Sequence, residues 1–503
     1  MLTHQQATDS GDVVVTTAAG AVRGVRSGAV ERFLGLPYAA PPVGALRFAE
    51  PQPAASWQGE RDATHGGVTA PQCHNPFPAL DVAPLIGTDQ AGGNDYLTLN
   101  IWRPAGGGSA LPVMVWIHGG GFVIGSKDAS VSDGSAFARD GVVCIAINYR
   151  LGIEGFLPIP GVPTNLGLRD QIAALRWVQD NIAAFGGDPG NVTVFGESAG
   201  GMAVADLLTS PLAAGLFRRA IVQSGHGAMT RDIGVAQRLV RRLAKMLRIR
   251  PDPDGFRSVS TKRALDAQQK ISQPTTLIDL RDGDGREPVF GISRFVPVHG
   301  DDVLPQQPLA ALKKGAGKDV DLLIGTNAEE MNLYLVPTGV REKIGRLMAT
   351  YLLHRSQPRA RKVLTAYGLG RDGRRPGHAL TDALNDLVFR WPARRFAEEH
   401  RGRTHVYELD WRSPALDGEL GACHAMELPF VFDTLASVTG ERGLAGTTPP
   451  QDLADQVHKI WVDFAKTGIL PWPEFDASTR QVYQLSKGEA VHEPPMPAAP
   501  FLP

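Results

Sequence analysis

Two hydrophobic rhythms alternate through the middle of the chain. Residues 113–117 (VMVWI) and 142–148 (VVCIAIN) are short apolar runs closed off by glycine or polar residues, as in strands buried on both faces. Runs at 220–223, 320–325 and 406–409 repeat that pattern. Between the early strands, Leu168, Ile172, Leu175, Val178, Ile182 and Phe185 recur at steps of three and four, which lines one face of a helix. Gly186 and Gly187 end it. Strand character returns at 192–195, and small residues from Ala199 onward open a second helix with Val204, Leu207 and Leu208. Strands alternating with helices predict an α/β fold, a central and mostly parallel sheet flanked by helices.

Two stretches break the alternation. Residues 232–286 and 340–393 show helical spacing, many Arg and Lys, and few strand runs, so they are expected as helical cap insertions over the sheet. The basic stretch 238–250 is a candidate surface for acidic partners, but Leu239, Leu243 and Leu247 give it an inward stripe and favour a solvated helix face. One domain is expected over 12–493, with loosely ordered ends at 1–11 and at the proline-rich 494–503.

Composition narrows the partners. The 503 residues are 43% hydrophobic and 20% charged, ordinary for a globular chain able to bury a large core. A net charge of -1 provides no field to draw nucleic acid, and no apolar run reaches the roughly eighteen residues of a membrane span. A small, largely neutral molecule is therefore the expected partner, with neither nucleic acid nor membrane. The polar start, 1–12, lacks a secretory pattern, so a cytoplasmic location is expected, with secretion left open. Cys73, Cys144 and Cys423 lie far apart in no metal spacing, and no cofactor or metal is expected.

The chemistry concentrates at Gly196-Glu197-Ser198-Ala199-Gly200. This is the nucleophile-elbow pattern, in which a sharp strand-to-helix turn presents a serine hydroxyl above the sheet. A helix N-cap would also explain a serine here. Its place between the 192–195 run and the following helix favours catalysis. His118-Gly119-Gly120-Gly121-Phe122 follows another expected strand, and its glycines let backbone N–H groups approach a substrate carbonyl. A flexible turn is the plainer alternative. Gly120, Gly121 and Ala199 are the expected donors to a developing oxyanion. Serine is a weak nucleophile near neutral pH, so a histidine must take its proton while a carboxylate fixes the imidazole. Composition cannot choose among thirteen histidines. The order Ser, acid, His places both partners downstream of Ser198, and Glu330 and His424 satisfy it.

Other segments identify a family. Phe33-Leu34-Gly35-Leu36-Pro37-Tyr38 with Pro41-Pro42-Val43-Gly44, then Asp95-Tyr96-Leu97-Thr98-Leu99-Asn100, then Phe185-Gly186-Gly187-Asp188-Pro189 leading into the elbow, resemble the type-B carboxylesterases. That family also contains the cholinesterases, and the resemblance is greatest to its bacterial para-nitrobenzyl-esterase group. It implies an α/β-hydrolase fold and ester hydrolysis, with Glu330 in Gly325-Thr326-Asn327-Ala328-Glu329-Glu330 as acid and His424 in Gly421-Ala422-Cys423-His424 as base. Relatives usually have glycine after the acid where this chain has Met331, so Glu329 stands as the alternative. Glu197 and Ser224 match positions that support the triad from behind; structural hydrogen bonds are their plainer reading. Many relatives pair a cysteine near Cys73 with one at the position of Tyr96, so Cys73 is expected as a free thiol, in keeping with a reducing compartment. The tryptophan that binds quaternary ammonium in cholinesterases has no counterpart between Gln72 and Asp95, which disfavours choline esters.

Uncharged alkyl or aromatic esters are the expected substrates. A non-catalytic binding protein of the same fold, an amidase and a thioesterase are the alternatives. Two further strings carry little weight. Gly368 to Gly373 fits a dinucleotide fingerprint without a convincing helix after it, and Asp282-Gly283-Asp284-Gly285 lacks the remaining ligands of a calcium loop.

Overall fold

The apolar runs pair into one large sheet. The computed structural model describes residues 10–502 apart from 74–76, 78, 88–91, 274, 288–292 and 372. Its strands begin with β1 (Ser10–Thr17), β2 (Gly20–Ser27), β3 (Val30–Pro37), β4 (Glu60–Asp62), β5 (Thr98–Pro104), β6 (Leu111–Ile117), β7 (Val143–Ile147) and β8 (Gly187–Glu197). β9 (Arg219–Gln223), β10 (Arg231–Asp232), β11 (Val298–His299), β12 (Asp321–Asn327), β13 (Thr404–Leu409), β14 (Gln481–Gln484) and β15 (Glu489–His492) follow. Among the described residues thirteen strands form one sheet, ordered β1-β2-β3-β5-β7-β6-β8-β9-β12-β13-β14-β15, with β4 beside β2. β10 and β11 pair separately. The pairings from β7 to β14 are parallel. Antiparallel strands flank them, from β1 to β7 on one side and at β15 on the other.

Alternation along the central strands divides the interior into two layers. Val113, Val115, Ile117, Val143, Ile145, Ile147, Val192 and Val194 face one. Met114, Trp116, Cys144, Ala146 and Phe195 face the other. The helix Leu166–Asn181 lays Leu168, Ile172, Leu175 and Val178 on the first layer; fully burying each such side chain stabilises the fold by about 1.5–3 kcal/mol. A 3-10 turn, Ile182–Phe185, then stops at Gly186, whose φ of +85° suits glycine. The helix Ala199–Thr209 packs across β8 and β9.

Three helices, Ile233–Leu247, Pro253–Arg257 and Thr261–Ser272, occupy the first expected cap segment. Leu239, Leu243 and Leu247 of the basic stretch are buried, as its stripe predicts. In the second segment Arg346–His354, Ala360–Ala366 and Pro376–Leu384 surround a small separate core, and a π-helical turn, Asn385–Arg390, continues into Trp391–Glu399. The Gly368–Gly373 string therefore follows a helix, not a strand, and a helix does begin at Pro376, contrary to the sequence reading; Asp372 lies outside the described residues. Residues 1–9 also lie outside them, whereas Ser10 and Gly11 already belong to β1. The tail is not loose throughout. Met496 and Ala498 are buried, and Phe501 and Leu502 pack on the small cap core, because small and apolar side chains interrupt the prolines.

Candidate active site

The site forms where central parallel strands end at their carboxyl edge, the usual crevice of open α/β sheets. β8 ends at Glu197, and Ser198 occupies the turn into Ala199–Thr209 with φ +56° and ψ -122°. A serine held in that region stores strain of about 1–3 kcal/mol, which the surrounding backbone sustains. The Ser198 N–H donates to Gln223 O at 2.9 Å, and Ser198 O accepts from Met202 N–H at 2.8 Å. Strand and helix meet so closely that a Cβ on Gly200 would lie 2.0 Å from Ile117 O, and one on Gly196 would lie 2.6 Å from Gly200 C. Glycine is thus required on both sides of the turn. Ser198 remains partly exposed between buried Glu197 and Ala199.

The loop after β6 is braced from below. Gly120 and Gly121 have φ of +101° and +61°. A Cβ on Gly120 would sit 2.1 Å from Ile124 O, so only glycine fits that turn. Tyr149 Oη donates to His118 O at 2.8 Å, Ser293 Oγ to Gly121 O at 2.9 Å, and Gln72 Nε2 to Gly125 O at 2.9 Å. His118 stacks on Tyr149 with ring centroids 4.5 Å apart, and its Nδ1 donates to Gly119 O at 2.9 Å. Burial pushes the His118 imidazole down to about 4, which keeps it neutral.

Two later segments bring the remaining groups. Glu330 follows β12, and its Oε1 accepts from Asn327 N–H at 2.7 Å. His424 lies beyond β13 in a buried loop, where its Nδ1 donates to Glu330 Oε2 at 2.6 Å. Its N–H also donates to Glu330 O at 3.2 Å. On the other side of the imidazole, Nε2 is 3.0 Å from Glu197 Oε1. Burial alone disfavours the imidazolium, yet Glu197, Tyr334 and Glu330 together outweigh it and hold the His424 pKa well above that of a free histidine. Glu329 points elsewhere: it accepts from Ala422 N–H at 2.9 Å and pairs with Arg412. Ser224 takes part through its backbone, donating to Gly325 O at 2.9 Å, while its hydroxyl is buried without a hydrogen-bond partner among the described residues.

Three side chains here escaped the sequence reading. The Tyr334 ring centroid lies 5.5 Å from that of His424, and burial pushes its phenol up to about 12. Phe389 on the π-helical turn covers the same imidazole, with centroids 4.8 Å apart. Glu427 accepts from Asn327 Nδ2 at 2.6 Å and from Gln223 Nε2 at 3.3 Å. Burial, with Glu197 and Glu330 adding to it, pushes its carboxyl up to about 8, so it is mostly protonated at neutral pH. Its position three residues after His424 was the one available signal.

A cavity of about 240 Å³ reaches Ser198, His424, Gly119, Gly120, Gly121 and Ala199. Its lining is apolar and mixed, with aliphatic Val82, Leu85, Ile86, Val131 and Leu428 beside aromatic Phe77, Trp116, Tyr334 and Phe389. Cys73 is a half-buried free thiol and Tyr96 is buried, as the missing disulfide predicts. Among the described residues no helix is long and apolar enough to cross a membrane.

The model of the carboxylesterase family matches residues 11–496. The chain is 35% identical to the para-nitrobenzyl esterase of Bacillus subtilis, over 98% of this chain and 97% of that one. It is 34% identical to the phenmedipham hydrolase of Pseudarthrobacter oxydans, over 92% and 93% of the two chains. The structure superposes on a carboxylesterase of Geobacillus stearothermophilus with a TM-score of 0.81 and 33% identity, over 96% of this chain and 98% of that one. A match of this extent takes in the whole cleft and the sheet beneath it, and the chain accordingly belongs to the carboxylesterase family and is a serine carboxylic ester hydrolase.

Proposed function

We propose that Ser198 is the nucleophile, His424 the general base and Glu330 the acid that orients it, with Gly120, Gly121 and Ala199 N–H groups receiving the oxyanion. The single observation that carries this reading is the His424 Nδ1 to Glu330 Oε2 contact of 2.6 Å beside Ser198 in an apolar cavity. Ser198 Oγ attacks the ester carbonyl as His424 Nε2 takes its proton; the same proton then goes to the departing alkoxide, leaving an acyl-enzyme. Water enters, gives a proton to His424, and attacks the acyl carbon; collapse returns the proton to Ser198 and frees the acid. Each oxyanion donor contributes about 3–4 kcal/mol to the transition state. Glu330 keeps the Nδ1–H tautomer, the form whose Nε2 can accept.

The substrates are uncharged esters with alkyl or aromatic groups. A quaternary ammonium needs aromatic faces to replace its hydration; Phe77, Trp116, Tyr334 and Phe389 line this cavity among aliphatic residues such as Val82, Leu85 and Ile86, but no tryptophan stands between Gln72 and Asp95, where the cholinesterases carry theirs. With one acyl group held constant, kcat/KM is expected to be at least about a hundredfold higher for a neutral benzyl or butyl ester than for the choline ester. Preference for the choline ester overturns this substrate class. The matched amide and thioester belong in the same comparison, and faster turnover of either replaces the ester as the preferred bond.

Glu197 supports the reading in a separate way. Its carboxylate beside Nε2 stabilises the imidazolium, so Glu197→Gln lowers the His424 pKa. The base must be neutral in the free enzyme, and the acid limb of the kcat/KM profile therefore moves to lower pH in the variant. A limb that stays in place or moves upward removes Glu197 from this role.

A further inference from the structure

The second cap carries a surface unlike the rest of the molecule. Five of the nine large hydrophobic residues exposed among the described residues are Val340, Leu347, Met348, Tyr351 and Leu352. The last four stand on the helix Arg346–His354, whose opposite face buries Ala349 and Leu353. The neighbouring helix Ala360–Ala366 buries Ala360, Val363 and Leu364 in the same small core and leaves Arg361 and Lys362 exposed. Both helices pack on Pro376–Leu384, so they form one layer with a common outer side.

Charge follows the same boundary. Residues 340–375 hold ten Lys and Arg against two Asp and Glu, in a chain whose net charge is -1. Lys343, Arg346, Arg359, Arg361, Lys362 and Arg371 are exposed and make no ion pair among the described residues. An apolar ridge flanked by unpaired cations is the composition of a helix that lies in a lipid headgroup layer. A second copy of the chain fits poorly, because it would bring the same cations face to face. Four exposed apolar side chains on one helix are few beside the roughly twenty or more residues a side of an ordinary stable protein interface.

We infer that the outer face of the helices Arg346–His354 and Ala360–Ala366 docks the enzyme on an anionic lipid surface. Leu347, Met348, Tyr351 and Leu352 enter the headgroup region, and the surrounding Lys and Arg meet lipid phosphates. The expectation of no membrane partner rested on the lack of a spanning run, which surface docking does not need. The same segment of chain continues to Val388 and Phe389, which line the Ser198 cavity.

Sedimentation of the full chain with vesicles tests this. Binding is expected to vesicles of phosphatidylcholine with phosphatidylglycerol, to weaken with salt, and to be far weaker on phosphatidylcholine alone. The double variants Leu347→Ser with Leu352→Ser and Arg361→Gln with Lys362→Gln each weaken it by about tenfold or more. Both change exposed residues only, and turnover of a water-soluble ester stays at the parent level. A parent chain that ignores anionic vesicles overturns the inference, as does binding that survives both variants. So does a parent dimer in light scattering that the leucine variant alone turns into monomer while vesicle binding is absent.

Discussion

Replacing Ser198 with alanine abolishes covalent labelling by an organophosphonate and lowers ester turnover by roughly three to six orders of magnitude, with the fold retained. The expected size of the loss reflects a unit that acts together: without Oγ, His424 has no proton to take, and its alignment with Glu330 serves nothing. The fold survives because the hydroxyl has no capping role, as Ser198 makes no side-chain hydrogen bond to the helix it precedes. Alanine meets the same strain at φ +56° as serine does, having neither a branched Cβ nor a larger side chain. Intact-mass analysis after treatment with the phosphonate, alongside a thermal melt, checks both halves. One phosphonyl group per chain on the variant moves the nucleophile to another residue. A melt lowered by more than several degrees shows that the loss of turnover came from the fold.

Legibility in the sequence followed the physics of each element. The parallel centre was readable because strands covered on both faces are continuous apolar runs, and β6, β7, β8, β9, β12 and β13 stand where those runs lie. β1 to β3 were not predicted. Arg, Glu, Ser and Gly interrupt their apolar residues, and their pairing is settled by neighbours distant in sequence, as with β3 and β5. The elbow and the glycine loop are local devices and announce themselves in five residues each. By contrast, Glu330 and His424 are separated by 94 residues, and nothing local in either segment points to the other. Order along the chain and family resemblance singled them out. Phe389 was hidden for a different reason: a π-helical turn shifts the register of side chains by one residue, which a 3.6-residue rhythm cannot reveal. Asn385 in that turn accepts from Met331 N–H at 2.7 Å, which ties the cap to the residue standing where relatives have glycine.

Glu330→Gln lowers kcat by about a thousandfold to ten-thousandfold, whereas Glu329→Gln changes it by less than about threefold. The contrast comes from hydrogen-bond polarity at adjacent carboxylates. Glu330 accepts twice, from Asn327 N–H at 2.7 Å and from His424 Nδ1–H at 2.6 Å. Glutamine has one acceptor oxygen to offer. With that oxygen toward Asn327, its NH2 group faces Nδ1 and imposes the tautomer with the proton on Nε2, which cannot take a proton from Ser198. With the amide reversed, NH2 confronts the Asn327 N–H, and a buried donor is left unsatisfied at a cost of about 1–3 kcal/mol. Neither orientation restores the site. Glutamine at 329 can still accept from Ala422 N–H, and it loses a pair with the exposed Arg412 that is worth about 0–1 kcal/mol. Steady-state kinetics on one neutral ester measures the ranking, and the reverse order would transfer the acid to Glu329, because only the carboxylate that holds the imidazole can make turnover depend on it to this extent.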